Sequence, residues 1–437
     1  MLLAGAGRED ISPRDSQFLF GYPHVERFST GIHDPLQSAA LCLRSGERTV
    51  LFSSNDIIFV PKDSVARIRR AVARETGIPE DAILVSATHT HSGPTTVDYL
   101  SGSSDPVVPR ADRRYLAYME ERIVAACLQA AAGLQPAEAG LAVADATGVG
   151  TNRRDPAGPR DPQVPVLMVR SVPGALPIAC MVTYCMHPTV LHEDSKLVSA
   201  DFPGMAREYL NRVLGPECVV LYHTGPEGNQ SPRHVTRGNT FAEAKRLGEM
   251  LGAAVEKAVS GIEFHDDLPV AARGSLVDLP RRTFPPVEQA EEKLGRAQKR
   301  FDALLGAGAP SQEVRTAECD LFGAEETVTL ARAFRHGGME EAYRSCLPAE
   351  IQLIEVGPWR FVGWPGEVFV EFDLRVKERH PGTWIINLAN GEFQGYIATE
   401  EAAREGGYEA SNALFSHQSG DVLVRATLDL LGRPSAT

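Results

Sequence analysis

The segment ILVSATHTHSGP, residues 83–94, decides how the rest of the chain is interpreted. Its first five residues are apolar or small and predict a buried β-strand, and the polar residues after them predict a loop. Loops that follow the strands of open α/β sheets are where ligand-binding groups are presented. His89 and His91 lie two residues apart, and side chains at that spacing in an extended segment point the same way. Both imidazoles are therefore expected to reach one metal-centred site.

The pattern around this segment alternates between helix and strand, which is typical of a mixed α/β fold. Helices are predicted at 65–75, 114–132, 203–214 and 241–259, and strands at 83–87, 141–144, 164–170, 178–186 and 218–223. A strand pair follows at 351–356 and 361–364. Residues 285–344 are rich in Glu, Ala, Lys, Arg and Gln, which predicts a solvated helical insertion broken at 306–310. We expect one domain over residues 1–437 with this insertion inside it.

The bulk composition excludes some functions. The 437 residues hold 44 Lys and Arg against 57 Asp and Glu, and a net charge of −13 argues against nucleic-acid binding. No apolar run approaches membrane-spanning length, and the first ten residues lack the pattern of a secretory signal. Seven scattered cysteines without a C-x-x-C pair fit reduced thiols, so we expect a cytoplasmic protein. Its expected partner is a small molecule, and a homo-oligomer is left open.

Three further segments carry candidate reactive groups. His187 follows the apolar strand 178–186, where a histidine is either a hydrogen-bonded structural residue or, together with His89, a zinc ligand. In the loop 225–233 we expect the small residues to let the backbone approach a substrate, with Ser231 offering a hydroxyl. The absence of a G-x-S-x-G motif argues against an α/β-hydrolase. Glu367 follows a strand and a Pro-Gly turn, where a carboxylate is usually solvated.

Taken in order, these segments resemble the N-terminal catalytic domain of the neutral/alkaline, non-lysosomal ceramidases. The similarity covers nearly the whole chain and is loose between about 265 and 345. Its agreement in order is more specific than any single motif. The matching stretches are residues 10–13, 21–22, 88–94, 152–153, 187–189, 199–204, 228–232, 365–367 and 390–408.

The resemblance implies a neutral-ceramidase-like fold and an amide-bond hydrolase that uses a zinc-activated water. It assigns four zinc ligands, which are His89, His187, Glu367 and Tyr396. It also implies four catalytic residues: His91 for proton transfer or contact with the substrate carbonyl, Arg153 and Tyr408 for oxyanion stabilisation, and Ser231. The loop around the serine reads GNQSPR where ceramidases more often have GDVSPN, so Ser231 is either a nucleophile or a hydrogen-bond donor.

The substrate is not fixed by the resemblance. Ceramidases are longer and carry a C-terminal immunoglobulin-like domain, whereas this sequence ends about 30 residues after Tyr408. We therefore expect either a ceramide-like N-acyl compound or, equally, a smaller polar amide, linear or cyclic. The alternatives are a zinc esterase or lactonase, and a non-catalytic metal-binding module of the same fold. A metallo-β-lactamase-type site is disfavoured because Gly93 and Pro94 replace its usual Asp and His.

Overall fold

The computed structural model describes residues 1–22, 25–100 and 105–433. The strands are β1 (Leu2–Asp10), β2 (Gly31–Ile32), β3 (Gln37–Ser45), β4 (Arg48–Asn55), β5 (Ile83–Ala87), β6 (Gln135–Asp145), β7 (Thr151–Asn152), β8 (Gln163–Ser171), β9 (Pro177–Tyr184), β10 (Leu197–Val198), β11 (Val219–Thr224), β12 (Gln230–Ser231), β13 (Val270–Val277), β14 (Ala349–Val356), β15 (Trp359–Gly363), β16 (Glu367–Val368), β17 (Thr383–Ile386) and β18 (Tyr396–Ile397). The helices are α1 (Lys62–Thr76), α2 (Arg113–Ala132), α3 (Asp201–Leu214), α4 (Phe241–Val259), α5 (Val287–Gly306), α6 (Ser311–Arg335), α7 (Met339–Cys346), α8 (Val370–Arg379), α9 (Glu400–Glu405), α10 (Tyr408–Asn412) and α11 (Gln418–Leu431). The expected mixture of helix and strand is confirmed.

The largest sheet has eight strands in the order β11-β9-β8-β6-β1-β3-β4-β5. Its end pairs, β11–β9 and β4–β5, are parallel, and the pairs between them are antiparallel. The sheet is curled so strongly that its two edge strands are in contact: Ser86 Oγ in β5 lies 2.7 Å from His223 Nδ1 in β11. At the ends of these strands, Thr224 Oγ1, in the last residue of β11, donates at 2.8 Å to the carbonyl of Thr88, which directly follows β5. The loops that follow β5 and β11 are thereby brought together.

A second sheet, β13-β14-β15-β17, completes the frame of the site. Its strand β15 is parallel to β17, so the chain leaves both strands at the same edge. The loop after β17 lies between the two ends of the large sheet, because Asn387 N donates to the Thr224 carbonyl and Ala87 N donates to the Leu388 carbonyl. Strand ends from both sheets thus surround one volume.

The helices cover the outer faces of these sheets. Helix α2 packs on β1, β3 and α1, and the pair α3 and α4 packs on the strands from β6 to β11. Residues 285–344, the segment rich in charged residues, contain α5, α6 and most of α7. No helix within the described ranges has both the length and the apolar character needed to cross a bilayer. All seven cysteines are buried and unpaired.

Candidate metal centre

His89 is placed by a sharp bend directly after β5. Its backbone φ of +70° lies in the left-handed region, which a residue with a side chain seldom adopts. The bend is held because His89 N donates to the Ile57 carbonyl at 2.9 Å and Thr88 N donates to the Asn55 carbonyl at 2.8 Å. We expected an extended segment here, and that local expectation is wrong. The rings of His89 and His91 nevertheless converge, with centroids 4.8 Å apart.

His187 follows β9 and is fixed through its backbone and its ring. Its backbone N donates to the Gln230 carbonyl at 3.2 Å, and its Nδ1 lies 2.8 Å from the Glu227 carbonyl oxygen and 3.0 Å from that of Gln230. The loop after His187 is tied down by the buried carboxylate of Asp201, which accepts from the backbone N–H groups of Val190 and Leu191. The ring orientation is therefore set by surrounding backbone.

Glu367 and Tyr396 are brought side by side by the short parallel pair β16–β18, in which they are direct register partners. Both side chains are buried. The Tyr396 ring also lies 6.4 Å from the ring of His187, centroid to centroid. These two predicted ligands, 29 residues apart in sequence, thus share one place in the fold.

In three of the four predicted ligands, the atoms that would bind a metal lie close to one another. Glu367 Oε2 lies 3.0 Å from His187 Nε2 and 3.4 Å from His89 Nε2. Because a backbone carbonyl only accepts hydrogen bonds, the ring proton of His187 belongs on Nδ1. The same holds for His89, whose Nδ1 lies 3.0 Å from the Ile58 carbonyl oxygen. The Nε2 atoms of both rings then face the same carboxylate.

The centre of this arrangement combines a neutral imidazole with a buried carboxylate. Burial and the nearby Arg153 guanidinium lower the pKa of His187 to about 4, so its ring is neutral at neutral pH. Burial alone would raise the pKa of Glu367, but its contacts with His89 and His187 outweigh burial and hold the pKa well below its usual value. A buried ionised carboxylate grouped with two imidazole nitrogens favours a bound cation.

His91 joins the same cluster from the cavity side. Its Nε2 lies 3.3 Å from His89 Nε2, and burial, with His89 and His187 nearby, lowers the pKa of His91 well below its usual value. Gly21 makes room for the ring, since a Cβ there would lie 2.4 Å from His91 Nδ1. His91 therefore presents a neutral imidazole beside the cluster.

Arg153 and Tyr408 flank Tyr396. The Arg153 guanidinium donates from Nε to Glu409 at 2.7 Å and from Nη2 to the Gly228 carbonyl at 2.7 Å, and it lies over the rings of Tyr396 and Tyr408. Burial raises the pKa of Tyr396 well above its usual value, and Glu367 adds to the shift while Arg153 opposes it. Arg153 thus supplies positive charge on this side of the site.

The glycines of the loop 225–233 lie close to other protein segments. A Cβ at Gly225 would lie 2.6 Å from Cys185 Sγ, and one at Gly228 would lie 3.0 Å from the Val368 backbone. These glycines therefore allow the loop to pack closely against neighbouring protein segments. Ser231 is buried, and its Oγ accepts from the backbone N–H of Arg233 at 3.2 Å.

Glu227 is a candidate donor that the sequence analysis did not single out. One carboxylate oxygen of Glu227 lies within 4.8 Å of donor atoms of His89, His187 and Glu367. Burial, and then Glu367, raise the pKa of Glu227 well above its usual value. The signal that identifies it is its position after β11, since His89 and His187 also follow strands.

A cavity of about 150 Å³ opens over the cluster. Its lining includes the predicted site residues His89, His91, Glu367, Tyr396 and Tyr408. Aromatic side chains form much of its wall, namely Phe20, Tyr22, Phe59, Tyr99 and Phe322. Helix α6, from the charged segment 285–344, contributes Phe322, Glu325, Glu326 and Thr329. That segment therefore forms part of the pocket wall.

Comparisons with known proteins agree with this architecture. Residues 2–218 match the family model described as neutral/alkaline non-lysosomal ceramidase, N-terminal. The neutral ceramidase of Mycobacterium tuberculosis is 22% identical over 99% of this chain and 78% of its own length. That of Pseudomonas aeruginosa is 23% identical over 94% of this chain and 69% of its own length.

Solved structures show the same fold. The crystal structure of neutral ceramidase from Pseudomonas aeruginosa superposes with a TM-score of 0.77 at 19% identity, over all of this chain and 75% of that one. A structure described as ceramidase complexed with C2 superposes with a TM-score of 0.75 at 16% identity, over all of this chain and 77% of the other. The matched N-terminal segment, the two relatives and the shared fold together confirm the resemblance: the chain belongs to the neutral/alkaline non-lysosomal ceramidase family.

Proposed function

We propose that this protein is a zinc-dependent hydrolase that cleaves a carbon–nitrogen amide bond. Membership of the ceramidase family supports an amide-bond hydrolase. The proposed zinc ligands are His89, His187, Glu367 and Tyr396, as the resemblance implies. His91, Arg153, Tyr408 and Ser231 are the proposed catalytic residues.

One observation carries the proposal. Two imidazoles, each with Nδ1 within hydrogen-bond distance of a backbone carbonyl, direct Nε2 toward a single buried carboxylate oxygen. Metal-binding histidines are typically oriented in this way, with the second ring nitrogen donating to a carbonyl or carboxylate. Two imidazole nitrogens, a carboxylate and a phenol also match the nitrogen and oxygen ligands that zinc accepts when thiolates are absent.

The chain's own side chains supply the remaining chemistry. Bound zinc would polarise the amide carbonyl and lower the pKa of a coordinated water. Neutral His91, beside the cluster, takes up the proton that the attacking water loses and passes it to the leaving amine. Arg153 and Tyr408 stabilise the developing negative charge on the carbonyl oxygen. Ser231, whose Oγ accepts from Arg233 N, assists as a hydrogen-bond donor or nucleophile.

The dimensions of the cavity favour a small substrate. A cavity of about 150 Å³ accommodates a group the size of a single small ring, whereas pockets for drug-sized ligands run to about 300–1,000 Å³. Its wall also includes the polar side chains of Glu325, Glu326 and Asn412. We therefore favour a compact polar amide over a ceramide-like lipid with two long chains.

The first experiment measures zinc in the purified protein and turnover of a panel of N-acyl amines, lactams and esters. We expect about one zinc per chain and hydrolysis of at least one amide. His187→Ala is expected to lose zinc and activity together, whereas the control His336→Ala, at an exposed site, keeps both. Full zinc occupancy in His187→Ala would overturn the ligand set. A zinc-loaded wild-type protein that hydrolyses only esters, or nothing in the panel, would overturn the amidase function.

A further inference from the structure

We propose that Glu227 is an additional ligand of the metal ion, which gives the site a second carboxylate beyond the set that the family resemblance implies. The inference rests on the proposed function because it concerns the same metal centre. Glu227 lies in the loop that follows β11, whereas Glu367 follows β15 in the other sheet. The two carboxylates therefore approach the centre from different parts of the fold.

The geometry places Glu227 within the cluster. One of its carboxylate oxygens and donor atoms of His89, His187 and Glu367 all lie within 4.8 Å of one another. Atoms bound to one zinc at about 2.0–2.2 Å are separated by distances in this range. The backbone of Glu227 is fixed as well, because its carbonyl oxygen accepts from His187 Nδ1 at 2.8 Å. The residue that orients one ligand thus carries a second potential ligand on its own side chain.

The hydrogen bonding of the carboxylate points to a ligand. Glu227 is fully buried, and its Oε2 accepts from Asn387 Nδ2 at 3.0 Å. Its Oε1 has no hydrogen-bond partner among the residues that the structure describes. A buried carboxylate oxygen left unpaired costs free energy, and a metal ion removes that cost. The nearby cation Arg153 donates instead to Glu409 and to the Gly228 carbonyl.

A second carboxylate changes which metals the site favours. With Glu227 the side chains offer two imidazole nitrogens, two carboxylate oxygens and the Tyr396 phenol. Carboxylate-rich sites suit Mn²⁺, whereas imidazole suits Zn²⁺. Removing the Glu227 carboxylate should therefore weaken Mn²⁺ binding more than Zn²⁺ binding. A role confined to shaping the loop would not separate the two metals.

The test uses Glu227→Gln, which keeps the side-chain size and an oxygen for Asn387 Nδ2. Glu371→Gln is the matched control, because Glu371 accepts from Asn229 in the same loop. Dissociation constants for Zn²⁺ and Mn²⁺ are measured on metal-free full-length protein by competition with a chromophoric chelator, and thermal unfolding verifies the fold. We expect Glu227→Gln to weaken Zn²⁺ binding about tenfold or more and Mn²⁺ binding further, while Glu371→Gln matches the wild type.

The outcomes are distinct. Unchanged constants in Glu227→Gln, with wild-type protein that binds metal, would overturn the role of Glu227 and leave the proposed function intact. Equal weakening in Glu227→Gln and Glu371→Gln would assign the effect to the loop and also overturn the inference. Wild-type protein that binds neither metal would instead overturn the proposed function and the inference with it.

Discussion

Substitution of Gly21 by alanine tests the role of His91 without altering any predicted ligand. The added Cβ would lie 2.4 Å from His91 Nδ1 and 2.6 Å from its Cγ, whereas ordinary van der Waals contact begins at 3.4 Å. The imidazole must therefore move by about 1 Å. A displacement of about 1 Å in a catalytic group costs on the order of 100-fold in rate. We expect Gly21→Ala to lower kcat by about that factor and to keep its zinc.

Gly46→Ala is the matched control. Both glycines have positive φ, +119° at Gly21 and +61° at Gly46, so alanine strains the backbone at either position by about 1–3 kcal/mol. A Cβ at Gly46, however, meets no atom within 4 Å. Zinc content, urea unfolding and steady-state hydrolysis of the best amide from the substrate panel are compared for both variants. Turnover of Gly21→Ala equal to that of Gly46→Ala would refute a catalytic role for His91, and loss of zinc would make His91 a ligand.

The remaining predictions concern stability and the serine. Lys377 neutralises the buried carboxylates of Asp161 and Asp373. Lys377→Met is therefore expected to destabilise the fold by about 3–5 kcal/mol in urea unfolding and to leave the zinc content unchanged. Wild-type stability in this variant would contradict the prediction. Burial raises the pKa of Glu392 to about 8. Because the folded-state pKa of Glu392 is raised, protonation of this side chain contributes to the free energy of unfolding. The contribution is complete below the unfolded-state pKa and is lost as pH rises toward 8. Glu392→Gln should therefore gain stability relative to wild type between pH 5 and 8.5, about the span of that titration, and parallel pH profiles would show the assignment to be wrong. Ser231→Ala is expected to keep its zinc; full turnover in that variant would show that the serine is not a required nucleophile.

Local pattern predicted much of the secondary structure. The strand at 83–87 and the helix at 241–259 coincide with the observed elements, because an apolar run and a helical period are visible within a short window. The amino-terminal strands β1, β3 and β4 were not predicted. β1 reads LLAGAGRED, and its strand character depends on pairing with β3 and β6, which lies more than 120 residues away in sequence. Pairing at that distance leaves little trace in the local sequence.

The candidate site was predictable to the extent that its residues follow strands. His89 and His187 were identified because each comes directly after an apolar strand, although the bend at His89 was not foreseen. Tyr396 came only from the family resemblance, since its place beside Glu367 arises from the β16–β18 pairing. Glu227 was overlooked because its proximity to the cluster depends on the curl of the large sheet and on Asn387 from another loop. These are tertiary arrangements that spacing in one sequence does not encode.

The central claim is that His89, His187 and Glu367 bind one metal ion between them. The most direct test is anomalous diffraction at the zinc absorption edge from crystals of the wild-type protein grown with zinc. We expect a strong peak within bonding distance of Nε2 of both histidines and of the Glu367 carboxylate. A zinc-replete crystal with no peak there, or with its peak at the buried group formed by Asp161, Cys185 and Asp373, would contradict the account.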